Sequence, residues 1–221
     1  MPQAQSEYGF FITFEGIDAC GKSTQVRLLY EFLRKRGRQA IQLRDPGATL
    51  ISERIRAILL DRNHSLMSPW TELLLYEAAR AQMVHETIQP ALAAGTIVLS
   101  DRYYDSTTAY QGYARGLDLE MVNQANRIGS CGVVPDLTFF IDIDPKVAAQ
   151  RKKDLGERSD RMEAEGLAFQ EKVRYGFQQL SVKEPNRVFQ IDGHRSIDAI
   201  QQEIQSMFKQ NYEQTSSGDV V

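Results

Sequence analysis

Residues 16–24 read Gly16-Ile17-Asp18-Ala19-Cys20-Gly21-Lys22-Ser23-Thr24, and residues 16–23 complete a G-x-x-x-x-G-K-[ST] pattern. The apolar run Phe10, Phe11, Ile12 and Phe14 leads in, and a stretch of helical periodicity leads out, so the pattern sits in a strand–loop–helix frame. Each position has a chemical reason. Gly16 and Gly21 let the backbone turn tightly enough to aim its N–H groups at phosphate oxygens, and the emerging helix adds its positive end. Lys22 reaches the terminal phosphates, and the Ser23 hydroxyl is suited to Mg²⁺. Gly16 to Thr24 is therefore the expected ATP- or GTP-binding loop. The same cradle serves switches, motors, transporters and kinases, so it identifies a ligand and not a reaction.

Outward from this loop, short β-rich runs alternate with longer helical patterns, the order of a parallel sheet covered by helices. Strands are expected at Phe10–Glu15, Ala40–Arg44, Thr96–Ser100, Leu137–Ile143 and Arg187–Ile191. Helices are expected near 22–36, 52–61, 69–94, 118–129, 145–153, 163–183 and 197–211. Ser68-Pro69 and Asp144-Pro145 each put a side-chain cap before a proline at the first helical position. Gly37 and Gly95 stand where helices end on a left-handed residue. A chain of 221 residues suits one α/β domain. Residues 1–7 read as a flexible start, 8–212 as the domain, and the polar 213–221 as a disordered tail.

Composition narrows the partners. A net charge of −3 gives no bulk attraction to nucleic acid or to an anionic membrane, so a polyanion must be held by a local site. The apolar runs are too short to cross a bilayer, and Met1 to Glu7 lacks an export pattern. Cys20 and Cys131 make no disulfide framework, and two reduced thiols fit a cytoplasmic enzyme. Between Arg151 and Glu165, ten of fifteen residues are charged, a run that reads by itself as a solvated helix end.

A guanine-reading Asn-Lys-x-Asp stretch is absent from the sequence. A small-molecule kinase needs a second anion site, a base pocket and a charged lid, and each has a candidate. Asp101-Arg102 follows the apolar run Ile97-Val98-Leu99-Ser100, at the strand end where such sheets bind ligands. There an acid can orient Mg²⁺ while the arginine clamps a phosphate, or the two form a structural ion pair. Tyr76 and Arg80, four apart, share a helix face that suits a planar base, although Tyr76 also fits a core position.

Asp101-Arg102-Tyr103-Tyr104-Asp105-Ser106-Thr107-Thr108-Ala109-Tyr110-Gln111-Gly112 resembles the thymidylate kinase signature. Phe14-Glu15-Gly16-Ile17-Asp18, Arg44-Asp45-Pro46-Gly47-Ala48-Thr49, Tyr76-Glu77-Ala78-Ala79-Arg80, Pro135-Asp136-Leu137-Thr138 and Asp160-Arg161 follow the same family in order. The resemblance spans roughly residues 8–210. It implies an α/β P-loop kinase fold, with a five-stranded parallel sheet flanked by helices and a short charged lid at about 151–165. It implies transfer of the ATP γ-phosphoryl group to dTMP with Mg²⁺, in a homodimer.

Residue by residue, the family implies that Asp18 meets the deoxyribose 3′-hydroxyl and that Arg56 and Arg102 hold the acceptor phosphate. Tyr76 stacks on thymine, Arg80 bonds the base edge, and Thr107 completes recognition. Tyr110 occupies the place of a ribose 2′-hydroxyl, and Gln111 lines the same pocket. Lys22, Asp18, Asp101 and Arg102 form the catalytic set, with Ser23 and Asp101 at the metal. The loop carries Ala19 and Cys20 where one kind of relative has an arginine, so this chain resembles the bacterial kind whose lid supplies it. Arg151, Arg158 and Arg161 are the candidates, with Arg158 favoured. Other nucleotide kinases and a non-catalytic nucleotide-binding regulator are the rival readings.

Overall fold

A parallel sheet with helices on both faces buries its central strands completely, and β1 (Phe11–Glu15) and β4 (Leu137–Asp142) are buried at every position. The computed structural model describes residues 9–155, 161–162 and 165–217. With β2 (Ala40–Arg44), β3 (Ile97–Asp101) and β5 (Val188–Asp192), the strands run in the order β2-β3-β1-β4-β5, and every neighbouring pair is parallel. β1 and β4 are pinned in register where Thr13 faces Thr138, their hydroxyls 2.7 Å apart. Expected and observed strands differ by no more than a residue or so at each end, and Asp101 proves to be the last residue of β3, opposite Phe14 and Arg44.

The helices are α1 (Lys22–Lys35), α2 (Leu50–Leu60), α3 (Pro69–Met83), α4 (Gln89–Ala93), α5 (Tyr104–Thr107), α6 (Leu119–Gly129), α7 (Pro145–Leu155), α8 (Leu167–Lys183) and α9 (Ile197–Ser217). The expected signals operate. Ser68 Oγ accepts from Thr71 N–H at 3.1 Å before Pro69, and Asp144 Oδ1 accepts from Lys146 N–H at 2.8 Å. Gly37, at φ 72°, closes α1 as its N–H bonds Arg34 O.

Three segments depart from the sequence reading. The single helix expected over 69–94 is interrupted by a π-helical turn at Val84–Ile88. Pro90 follows at once; it lacks an N–H for the ladder, and the wider turn accommodates its ring. Tyr104–Ala114, expected as no regular element, is α5 followed by a π-helical stretch over Thr108–Ala114. Finally, α9 continues to Ser217, past residue 213 where a disordered tail is expected.

Candidate active site

The phosphate loop leaves β1 at Gly16, whose φ of 138° is closed to other residues; a Cβ there would lie 2.6 Å from Ile141 O. Gly21, at φ 106°, turns the chain into α1. Lys22 is buried inside its own loop, and its Nζ donates to Gly16 O at 3.1 Å and Ile17 O at 2.8 Å. Ser23 Oγ donates to Asp101 Oδ2 at 2.5 Å, which joins the start of α1 to the end of β3.

Arg102 lies next to this pair with a positive φ of 73°. Its guanidinium donates to Gly16 O at 2.9 Å, Ser106 Oγ at 2.9 Å, Asp18 Oδ1 at 2.6 Å and Tyr110 Oη at 3.2 Å. Burial works against the Asp18 carboxylate, but Arg102 and Lys22 outweigh it and hold Asp18 below its usual range. Behind Arg102, the fully buried Glu15 accepts from Tyr103 N–H at 2.7 Å and Ser106 Oγ at 2.6 Å. Burial, reinforced by Asp105, pushes Glu15 up to about 8.

Arg80 is almost wholly buried. Its Nε donates to Asp45 Oδ2 at 2.6 Å, its Nη1 to Glu77 Oε1 at 2.6 Å and its Nη2 to Thr107 Oγ1 at 2.8 Å. Burial pushes the Asp45 and Glu77 carboxyls up and Arg80 draws them back. One guanidinium facing two buried carboxyls leaves negative charge in excess, and the net direction for both is upward. Glu77 is packed against α6 so closely that a Cβ on Gly129 would lie 1.9 Å from Glu77 Oε2. Any larger residue at position 129 would displace the carboxylate that steadies Arg80.

Arg80 and Arg102 face a single cavity of about 540 Å³. All of the residues expected to contact the acceptor line it: Asp18, Arg56, Tyr76, Arg80, Arg102, Thr107, Tyr110 and Gln111. Pro46, Leu60, Tyr103, Ser106, Met162 and Asp45 complete the wall. Tyr76 is half-buried at this wall and is not a core residue. Arg56 donates to Pro46 O at 3.0 Å. Asp18 also borders a second cavity of about 520 Å³ between the phosphate loop, α7 and the start of α8.

The candidate lid arginines separate. Arg158 lies outside the described residues. Arg151 donates to Gly193 O at 3.0 Å, in the turn after β5. Arg161 is buried; its Nε donates to Leu59 O at 2.7 Å and its Nη1 pairs with Glu72 at 2.6 Å. Among the described residues its partners belong to α2 and α3, which removes Arg161 from the solvated face that the charge run suggests. His194, in the same turn as Gly193, is exposed and 3.0 Å from Asp192.

Asp45, Glu77, Glu15 and Ser106 support the site without having been singled out from sequence. Glu77 stands three residues before Arg80, a spacing that favours an ion pair, and was the one with a readable signal. Asp45 reaches Arg80 from 35 residues away and Glu15 meets Ser106 across 91, distances at which spacing carries no information.

A phosphate loop after β1, an acid–arginine pair at the end of the adjacent β3, and a cavity lined by Asp18, Arg80 and Arg102 beside them define a P-loop kinase. The chain belongs to the thymidylate kinase family, whose sequence pattern matches residues 14–204. It is 49% identical over 192 residues to thymidylate kinase of Caldanaerobacter subterraneus subsp. tengcongensis, covering 87% of this chain and 91% of that one. With thymidylate kinase of Chlorobaculum tepidum it shares 48% over 201 residues, 87% of this chain and 94% of the relative. The crystal structure of thymidylate kinase from Ehrlichia chaffeensis superposes with a TM-score of 0.74 at 34% identity, over 91% of this chain and 99% of that one.

Proposed function

We propose that this chain transfers the γ-phosphoryl group of ATP to the 5′-phosphate of dTMP, giving dTDP and ADP. The observation that carries this reading is the cavity that Arg80 and Arg102 share, with a ring, Tyr76, on its wall. Arg80 is held by Asp45, Glu77 and Thr107 through one N–H on each nitrogen, which leaves further donors for a carbonyl of the base. Tyr76 supplies the stacking face. Asp18 accepts from a sugar hydroxyl, and Tyr110, fixed by Arg102, fills the corner a ribose 2′-hydroxyl would need.

Phosphoryl transfer spreads charge over the equatorial oxygens, so positioning and electrostatics dominate. Lys22 leaves its loop carbonyls to neutralise the terminal phosphates, and Arg102 and Arg56 hold the acceptor phosphate in line. That phosphate is already ionised, so no strong general base is required. The Ser23 hydroxyl and Asp101 carboxylate are two hard oxygens side by side, and they fit Mg²⁺, which takes few protein ligands beside substrate phosphates. When bound there, the ion offsets charge on the β- and γ-phosphates. The catalytic arginine of the lid is Arg158 in this reading, because Arg161 is engaged with Glu72.

Residues 8–212 act as one domain, with 151–165 as its lid. The enzyme works as a homodimer in the cytoplasm. Dimerisation is supported by exposed apolar side chains on the adjoining helices α2, α3 and α6, among them Ile51, Ile58, Trp70, Leu74, Met121 and Ile128. Two free cysteines suit a reducing compartment. A coupled assay of ADP release, with dTMP absent, present, or replaced by a ribonucleotide, tests the activity. Release that depends on dTMP supports it; release unaffected by dTMP, or preferring the ribonucleotide, rejects it.

A further inference from the structure

Glu72, in the first turn of α3, lies behind the acceptor cavity and is about 1% exposed. Its carboxylate accepts from Arg161 Nη1 at 2.6 Å, from Arg115 Nε and Nη2 at 3.1 Å each, and from Gln111 Nε2 at 2.8 Å. Burial opposes its charge, but the hydrogen bonds from Arg115 and Gln111, with Arg161 beside them, keep it below the ordinary carboxylate range. An ionised carboxylate can only accept. Gln111 must therefore turn its NH₂ group towards Glu72. Among the described residues, Gln111 Oε1 makes no hydrogen bond, and Gln111 lines the cavity.

The amide's polarity is thus set from outside the cavity. A ligand meets an acceptor at Gln111 and donors at Arg80. Thymine and uracil match this pair, because each has a ring N–H beside carbonyl oxygens. Cytosine has a lone pair where they have the ring N–H, and an exocyclic amine where they have an oxygen. Two acceptors facing one another leave both unsatisfied, the arrangement that gives polar sites their discrimination.

We propose that Glu72 is a positioning residue for base specificity: by fixing Gln111 with its oxygen towards the ligand, it admits pyrimidines with a ring N–H and rejects cytosine. The proposal rests on the reading of this cavity as the acceptor site. It extends the known chemistry to a residue that does not touch the substrate. Arg80 rejects cytosine independently, so loss of the Glu72 device relaxes the discrimination without abolishing it.

The test is the ratio of kcat/KM for dTMP to kcat/KM for dCMP, a quantity that general destabilisation does not move. In Glu72→Gln, the neutral side chain donates or accepts equally well and Gln111 is free to turn, so the ratio should fall about tenfold or more. In the double variant Glu72→Gln with Gln111→Glu, the new amide at 72 donates to the new carboxylate at 111. The latter's second oxygen again faces the cavity as an acceptor, and the ratio should return. An unchanged ratio in Glu72→Gln, or a double variant as permissive as the single one, overturns the proposal. Gln111→Met, which leaves Glu72 with both arginines, decides the case if the Glu72 variants do not fold. A lowered ratio there is expected, and a parental ratio overturns the idea. A parent without dTMP turnover would instead reject the acceptor reading itself.

Discussion

The two ends of the acceptor cavity hold their arginines in different ways. At the base end, the Arg80 side chain is 1% exposed and locked between Asp45 and Glu77, side chains themselves only 1% and 6% exposed. At the phosphate end, Arg102 is 17% exposed and its carboxylate partner Asp18 32%. The first arrangement is part of the fold: its charges were desolvated on folding, and binding a base requires no partner to be given up. In the proposed reaction the second is a holding pattern, in which Asp18 and Gly16 O occupy donors that an acceptor phosphate would take over. On the proposed reading, recognition of the base is therefore preorganised, whereas capture of the phosphate is an exchange. Lys22, resting on Gly16 O and Ile17 O, belongs with the exchanging end.

This contrast can be broken by mutation, and the largest effect is expected at Lys22. Lys22→Ala should lower kcat by about 10³-fold or more, since an aligned cationic donor is lost from the reacting phosphates. Its melting temperature should stay near that of the parent, because among the described residues the side chain bonds to its own loop. Near-normal turnover in steady-state kinetics would remove Lys22 from the mechanism.

Arg80→Ala and Arg102→Ala should separate the two ends most clearly. Removing Arg80 leaves Asp45 and Glu77 buried without a counter-charge, at a cost of roughly 3–5 kcal/mol in stability. Arg102→Ala should unfold in denaturant close to the parent yet lose about 10–100-fold in kcat/KM for dTMP, the worth of charge-assisted hydrogen bonds. Equal destabilisation of the two variants would show that the ends are built alike.

Tyr76→Ala refines the base end. Stacking on an aromatic ring is worth ~1–3 kcal/mol, so affinity for dTMP should fall while ATP affinity, by isothermal titration, is unchanged. Equal losses for both ligands would return Tyr76 to a structural role.

A smaller effect is expected from pH. Glu15 stands at about 8 in the folded chain against an ordinary 4.5. Between these values the folded chain keeps a proton the unfolded chain has released. The associated stability is complete below pH 4.5 and is lost as pH rises through 8. Glu15→Gln removes this titration. Relative to the variant, the parent's melting temperature should decline by about a few degrees from pH 6 to pH 8.5. Parallel profiles would mean that Glu15 is ionised throughout.

The phosphate loop was legible because its chemistry is contiguous: spacing, glycines and the flanking strand and helix all lie within one short stretch. The sheet was legible because its central strands are buried on both faces and read as apolar runs. The residues expected at the acceptor came from family resemblance, and one cavity gathers every one of them. What holds those residues was not legible. Glu72, Asp45 and Glu15 act on groups far away in sequence, and a carboxylate in a helical or loop pattern reads as solvated until its partner is seen. Arg161 misled for the same reason, since its charge run suggests water while Glu72 buries it. The helical stretch at Tyr104–Ala114 escaped notice because it is buried on nearly all sides, so it shows no polar face to set a period. Its threonines, tyrosines and glycine are also poor helix formers.

In the proposed reaction this cavity delivers dTMP to the terminal phosphate of ATP held by the loop at Gly16–Thr24. That delivery is tested most directly by following the label from ATP carrying radioactive terminal phosphorus, in the parent and in Arg102→Ala. Labelled dTDP should be the main product of the parent, with none formed without dTMP and far less in Arg102→Ala at the same dTMP concentration. Label released as free phosphate regardless of dTMP, or equal dTDP formation in both proteins, would contradict it.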